Sequence, residues 1–86
     1  MYTDPTTVLI VDDEAIVRRV LGDALEQAGH RIRLAAVASE ALTILNQNTI
    51  DLIVLDLQLG DTDGIGVLRA VRNRGANLPI IILTAH

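Results

Sequence analysis

The chain runs in two rhythms of apolar and polar positions. Val8-Leu9-Ile10-Val11 is an unbroken apolar run that stops at Asp12-Asp13. It is short and β-branched, which predicts a strand buried on both faces. From Glu14 to Ala28 the spacing changes: Val17, Val20, Leu21, Ala24, Leu25 and Ala28 recur at the helical interval. Arg18, Arg19, Asp23, Glu26 and Gln27 fill the opposite side, so an amphipathic helix is expected, with Gly29 at its C-terminal cap. Ile32 and Leu34 then alternate with Arg31 and Arg33, the pattern of a half-exposed edge strand.

The second half repeats the alternation. Ser39-Glu40 opens a second helix, with Ser39 as its predicted cap and Ala41, Leu42 and Leu45 facing inward; Asn46-Gln47-Asn48 closes it. Leu52-Ile53-Val54-Leu55 is another fully apolar strand, ending in Asp56. A loop is expected from Leu57 to Asp63, followed by Gly64. Ile65, Leu68 and Val71 mark a third helix with Arg69, Arg72 and Arg74 toward solvent, and Gly75 ends it. Pro79 introduces a last strand, Ile80-Ile81-Ile82-Leu83, ending in Thr84. The order β-α-β-α-β-α-β predicts an α/β fold with a parallel sheet and helices on its faces.

Composition narrows the function. A chain of 86 residues makes one domain at most. Half its residues are apolar and Tyr2 is its one aromatic, so the core must be built from Leu, Ile, Val and Ala. The net charge is −4, and all seven basic residues are Arg, without a basic cluster, so no nucleic-acid contact is expected of this segment. Without Cys there is neither a disulfide nor a thiolate metal site, in keeping with a cytoplasmic location. The polar stretch Met1 to Thr7 does not read as a signal peptide, and the apolar runs are too short to span a bilayer, so no membrane partner is expected.

In open parallel sheets the functional crevice lies beyond the C-terminal strand ends. Those ends carry Asp12-Asp13, Asp56 and Thr84. If the first and third strands are neighbours, ~4.8 Å apart, the three carboxylates share one small space. Crowded carboxylates repel unless a cation sits among them, and a hard ion such as Mg²⁺ suits an all-oxygen set. A carboxylate beside such an ion can attack phosphorus, which makes Asp56 the candidate acceptor. Asp12 and Asp13 are then the metal-site acids, and the Thr84 hydroxyl could donate to a phosphoryl oxygen. Plainer readings exist for each. Asp12-Asp13 could cap the first helix, Asp56 could be a turn residue, and Thr84 a packing residue. Asp61 and Asp63 read as turn residues, with Asp63 capping the third helix. His30 and His86 read as loop residues, and Gly64 as a glycine allowing close approach.

Three segments together resemble the response-regulator receiver-domain family: Val8 to Glu14, Asp51 to Leu57 with Asp63-Gly64 behind it, and Pro79 to Ala85. The resemblance implies a flavodoxin-like three-layer α/β/α fold with sheet order 2-1-3-4. It implies that Asp56 takes a phosphoryl group from a phosphohistidine on a sensor histidine kinase or phosphotransfer protein, in a regulatory domain and not an enzyme. It further implies that Asp13 and Asp56 ligate Mg²⁺ directly, that Asp12 helps through water, and that the Gln58 backbone carbonyl is another ligand. Thr84 would turn onto the phosphoryl group as the switch hydroxyl, with small Ala85 leaving room.

Two departures stand out. Gly60 occupies the position where the family usually has Pro, with Asp61 and Thr62 also less typical. The family has five β-α units, whereas residues 1–86 supply four strands, so the resemblance implies a receiver domain incomplete at its C-terminus. The family's fifth-strand Lys is then missing, and no Lys elsewhere replaces it. A haloacid-dehalogenase-like phosphatase is a rival, but it needs a second Asp where Gln58 stands. A receiver-like protein-interaction module that is never phosphorylated is the other alternative. In the 2-1-3-4 order Ile80 to Leu83 is a free apolar edge, which predicts a dimer or swapped oligomer through that strand.

Overall fold

The computed structural model describes residues 5–59, 62–75 and 77–83. Its elements follow the expected alternation: β1 (Thr7–Val11), α1 (Ala15–Gln27), β2 (Arg31–Ala35), α2 (Ala38–Gln47), β3 (Leu52–Asp56), α3 (Gly64–Asn73) and β6 (Ile80–Leu83). Between β3 and α3 lie two short strands that hydropathy did not reveal, β4 (Gln58–Leu59) and β5 (Thr62–Asp63). The main sheet is parallel with order β2-β1-β3-β6, so the fourth predicted strand, here β6, pairs with the third as expected.

The apolar runs of β1 and β3 are buried on both faces because helices cover both. Leu9 and Val11 with Ile53 and Leu55 point to the α2 and α3 side, where Ala41, Val67 and Val71 complete one cluster. Val8, Ile10 and Val54 point the other way, against Leu21 and Leu25 of α1 and Leu83 of β6. The three layers are thus α1, sheet, and α2 with α3. Gly22, buried in the middle of α1, faces Ile32 and Leu34 of β2.

Several local expectations shift. Ser39 does not cap α2: the N-cap is Val37, without a side-chain bond, and Ser39 lies inside the first turn. The end is tied instead by Glu40, whose Oε1 accepts the Ala36 N–H at 2.8 Å, because a Glu at the third position of a helix can fold back to the preceding amides. In α3 Val71 is buried and Leu68 packs against the core as expected, but Ile65 is 42 % exposed and Val67 is buried in its place, with Gly64 buried at the helix start. Arg72 is not merely solvated; its Nη1 donates to the Leu78 carbonyl at 3.0 Å and ties α3 to the approach of β6. On α1, Ile16 and Val20 are 63 % and 57 % exposed, and Ile81 and Ile82 of β6 are exposed as well. Gly29 takes φ +100° just beyond α1, where a left-handed residue ends the helix, as expected.

Candidate functional site

The site is built where β1 and β3 end side by side. Val11 pairs with Leu55, so the next residues, Asp12 and Asp56, emerge together from the centre of the sheet. Their relative exposures are 4 % and 6 %, while neighbouring Asp13 is exposed. Carboxylate oxygens of Asp12, Asp13 and Asp56 all lie within 4.8 Å of one another. The structure thus brings together the three acids that the sequence placed at these strand ends.

Each buried acid is held by the backbone ahead of it. Asp12 Oδ1 accepts the Glu14 N–H at 2.9 Å, and Asp56 Oδ1 accepts the Gln58 N–H at 2.9 Å. Both are tight turns in which an Asp side chain takes the amide two residues on. Asp12 is therefore not the cap of α1; the N-cap is Glu14, and no acid sits in the helix's first turn. Burial raises the Asp12 carboxyl above its ordinary 3.8. The Glu14 amide opposes the shift, the charges of Asp56 and Asp13 add to it, and Arg18 lowers it.

The segment after Asp56 is anchored rather than loose at its described ends. Gln58 pairs with Asp63 and Leu59 with Thr62, and Leu59 is buried in the core cluster shared with α2 and α3. The Gly64 N–H donates to the Leu57 carbonyl at 3.3 Å. A Cβ at Gly64 would lie 2.6 Å from the Asp56 carbonyl oxygen and 2.6 Å from Leu57 Cα, so only glycine lets α3 start against the Asp56 turn. Gln58 lies in β4, directly after this turn. Thr84 with Ala85 and His86, and Gly60 with Asp61, lie outside the described residues.

Sequence reading missed Arg18. Its spacing predicts the solvent side of α1, yet its Nη1 donates to the Asp12 carbonyl at 2.8 Å. The available signal was distance along the helix: an Arg one turn inside can reach back to the residues before the cap. The hard-oxygen chemistry of three clustered carboxylates fits a divalent cation such as Mg²⁺, which binds through few carboxylates and retains waters. No helix among the described residues is long and apolar enough to cross a membrane.

Residues 8–86 match the family model described as the response regulator receiver domain. The response regulator MprA of Mycobacterium sp. (strain KMS) is 40 % identical over 82 residues, which are 95 % of this chain and 36 % of that protein. The chain thus spans about a third of the length of the curated relatives it matches. Among solved structures, the response regulator TrrA from Thermotoga maritima, in complex with Mg²⁺ and BeF, superposes with TM-score 0.87 at 32 % identity, covering 94 % of this chain and 70 % of that one. A response regulator from Burkholderia pseudomallei, solved with a phosphorylated aspartic acid and a calcium ion, superposes with TM-score 0.88 at 26 % identity, covering 94 % of this chain and 48 % of that one.

Proposed function

The chain belongs to the response regulator receiver domain family, and from that premise we propose that it is a phosphorylation switch whose acceptor is Asp56. The observation that carries the reading is the convergence of Asp12, Asp13 and Asp56 within 4.8 Å at the ends of two paired central strands. A phosphohistidine on a sensor kinase or phosphotransfer protein is the donor. An oxygen of Asp56 attacks its phosphorus; the O–P bond forms as the N–P bond breaks, and the electron pair returns to the imidazole nitrogen. Oδ1 is engaged by the Gln58 amide, so Oδ2 is the attacking atom. Mg²⁺, when bound, neutralises charge on the transferring phosphoryl oxygens. Asp13, Asp56 and the Gln58 backbone carbonyl would hold it directly, with Asp12 acting through water. Thr84 is the hydroxyl that senses the phosphoryl group. The exposed apolar strand β6 provides a surface through which two copies associate.

The test is intact mass after incubation with acetyl phosphate and MgCl₂, beside Asp56→Asn. A single phosphoryl adduct in the wild type, absent from the variant, is expected. An unmodified wild type that still binds Mg²⁺ would replace this reading with that of an unphosphorylated interaction module.

A further inference from the structure

Three consecutive peptide groups lead from β1 into α1, and each takes part in a hydrogen bond. The Asp12 N–H donates to the Ala35 carbonyl at 3.1 Å, which fixes the first to β2. The Glu14 N–H donates to Asp12 Oδ1, which fixes the third. The middle one joins Asp12 to Asp13. Its carbonyl accepts Arg18 Nη1 at 2.8 Å, a charge-assisted bond from a half-buried side chain. Arg18 is itself placed by the first turn of α1, where its own N–H donates to the Glu14 carbonyl at 3.2 Å.

We infer that Arg18 is a positioning residue for the cation site: by holding the Asp12 carbonyl it sets the plane of the Asp12–Asp13 peptide and so aims the exposed Asp13 carboxylate at Asp12 and Asp56. The inference rests on the site reading given above and extends it to a residue that is not itself a ligand. Its signature is opposite in sign to that of a bystander. A positive charge beside a cation's seat repels the cation, so deleting the charge alone tightens binding. Deleting an orienting contact to a ligand weakens binding, by roughly 10- to 100-fold for partners of metal ligands.

The experiment titrates the purified protein with MgCl₂ by isothermal calorimetry, comparing wild type, Arg18→Met and Arg19→Met. Met keeps an apolar stem in place of the Arg stem. Arg19 is exposed on the next position of α1 and lies outside the acid cluster, so its variant removes the same charge without the contact. The expected result is Mg²⁺ binding about tenfold weaker in R18M, and equal or tighter in R19M. In the metal-free protein, amide hydrogen exchange at Asp13 and Glu14 should also speed up several-fold in R18M alone. R18M binding Mg²⁺ as tightly as R19M overturns the proposal and leaves the site reading intact. A wild type that binds no Mg²⁺ overturns both. If R18M fails to fold, R18Q carries the test: it removes the charge and is too short to keep the contact, so weaker Mg²⁺ binding supports the proposal and equal or tighter binding overturns it.

Discussion

Replacing Gly64 with Ala should be the most damaging single-methyl change near the site. The added Cβ would meet three backbone atoms: the Asp56 carbonyl oxygen at 2.6 Å, Leu57 Cα at 2.6 Å and the Leu57 carbonyl carbon at 2.9 Å. Ordinary contact begins at 3.4 Å, so either α3 or the turn after Asp56 must retreat by ~0.8 Å. Neither side gives way cheaply. The Asp56 turn is fixed by the Gln58 amide and by buried Leu59, and α3 by buried Val67 and Val71. Overpacking of this kind costs about 1–3 kcal/mol, and rigid backbone on the receiving side puts the cost at about 3 kcal/mol. That is a large fraction of the roughly 4–13 kcal/mol that stabilises a domain of this size. Urea unfolding followed by far-ultraviolet circular dichroism measures it, with the midpoint falling at unchanged slope. Gly66→Ala is the internal control: its Cβ meets nothing within 4 Å, so it should gain ~1 kcal/mol of helix propensity. A Gly64→Ala protein within ~0.5 kcal/mol of wild type would refute the claim that this contact fixes the Asp56 turn.

Gly22→Ala should stabilise the protein by ~0.5–1 kcal/mol in the same assay, because the new methyl would touch Leu34 at 3.6 Å and Ile32 at 3.7 Å, ordinary distances inside a helix. For Asp12 the sign is set by its raised pKa. Between 3.8 and that raised value the folded chain keeps a proton that the unfolded chain has lost, so this group's contribution to stability falls as pH rises through the window. Metal-free Asp12→Asn should therefore be more stable than wild type at neutral pH, with the difference vanishing below pH 3.8; a variant less stable at pH 7 contradicts the burial argument. Ile81→Lys places a charge on an exposed position of the β6 edge and should lower the weight-average mass seen by light scattering at high concentration. A wild type already monomeric there would remove β6 as an association surface.

Most of the architecture was legible because it rests on burial. The runs Val8–Val11 and Leu52–Leu55 could be uniformly apolar only if helices covered both faces, and that forces a parallel sheet. The acid cluster was legible for a related reason: Asp12-Asp13 and Asp56 stand at the ends of these two runs, so pairing the runs brings the acids together. What escaped was decided by contacts that periodicity does not encode. The short β4–β5 ladder depends on backbone pairing around residues with no alternating pattern. Ser39 has the right chemistry for a cap, but Glu40 reaches the preceding amide first. Val67 displaced Ile65 from the core because the start of α3 is fixed by Gly64 against Leu57, which sets the helix's rotation. Arg18 looked like one more charge on a wet helix face, since nothing in its spacing says that it bends back to a carbonyl.

The sheet order separates position in space from order of synthesis. β1 is made first yet stands in the middle, and both of its neighbours, β2 and β3, are made later. Until they leave the ribosome, Val8 to Val11 is an apolar ribbon with two unsatisfied edges, and the acids that follow it have no Asp56 to face. The fold therefore cannot be laid down strand upon strand from one side; it closes around its oldest segment. That arrangement makes folding depend on long-range pairing, which is slow and leaves the nascent chain in need of protection. It also means that the acid cluster is assembled only once the third main strand has arrived, while the core still awaits Val67 and Val71 of α3.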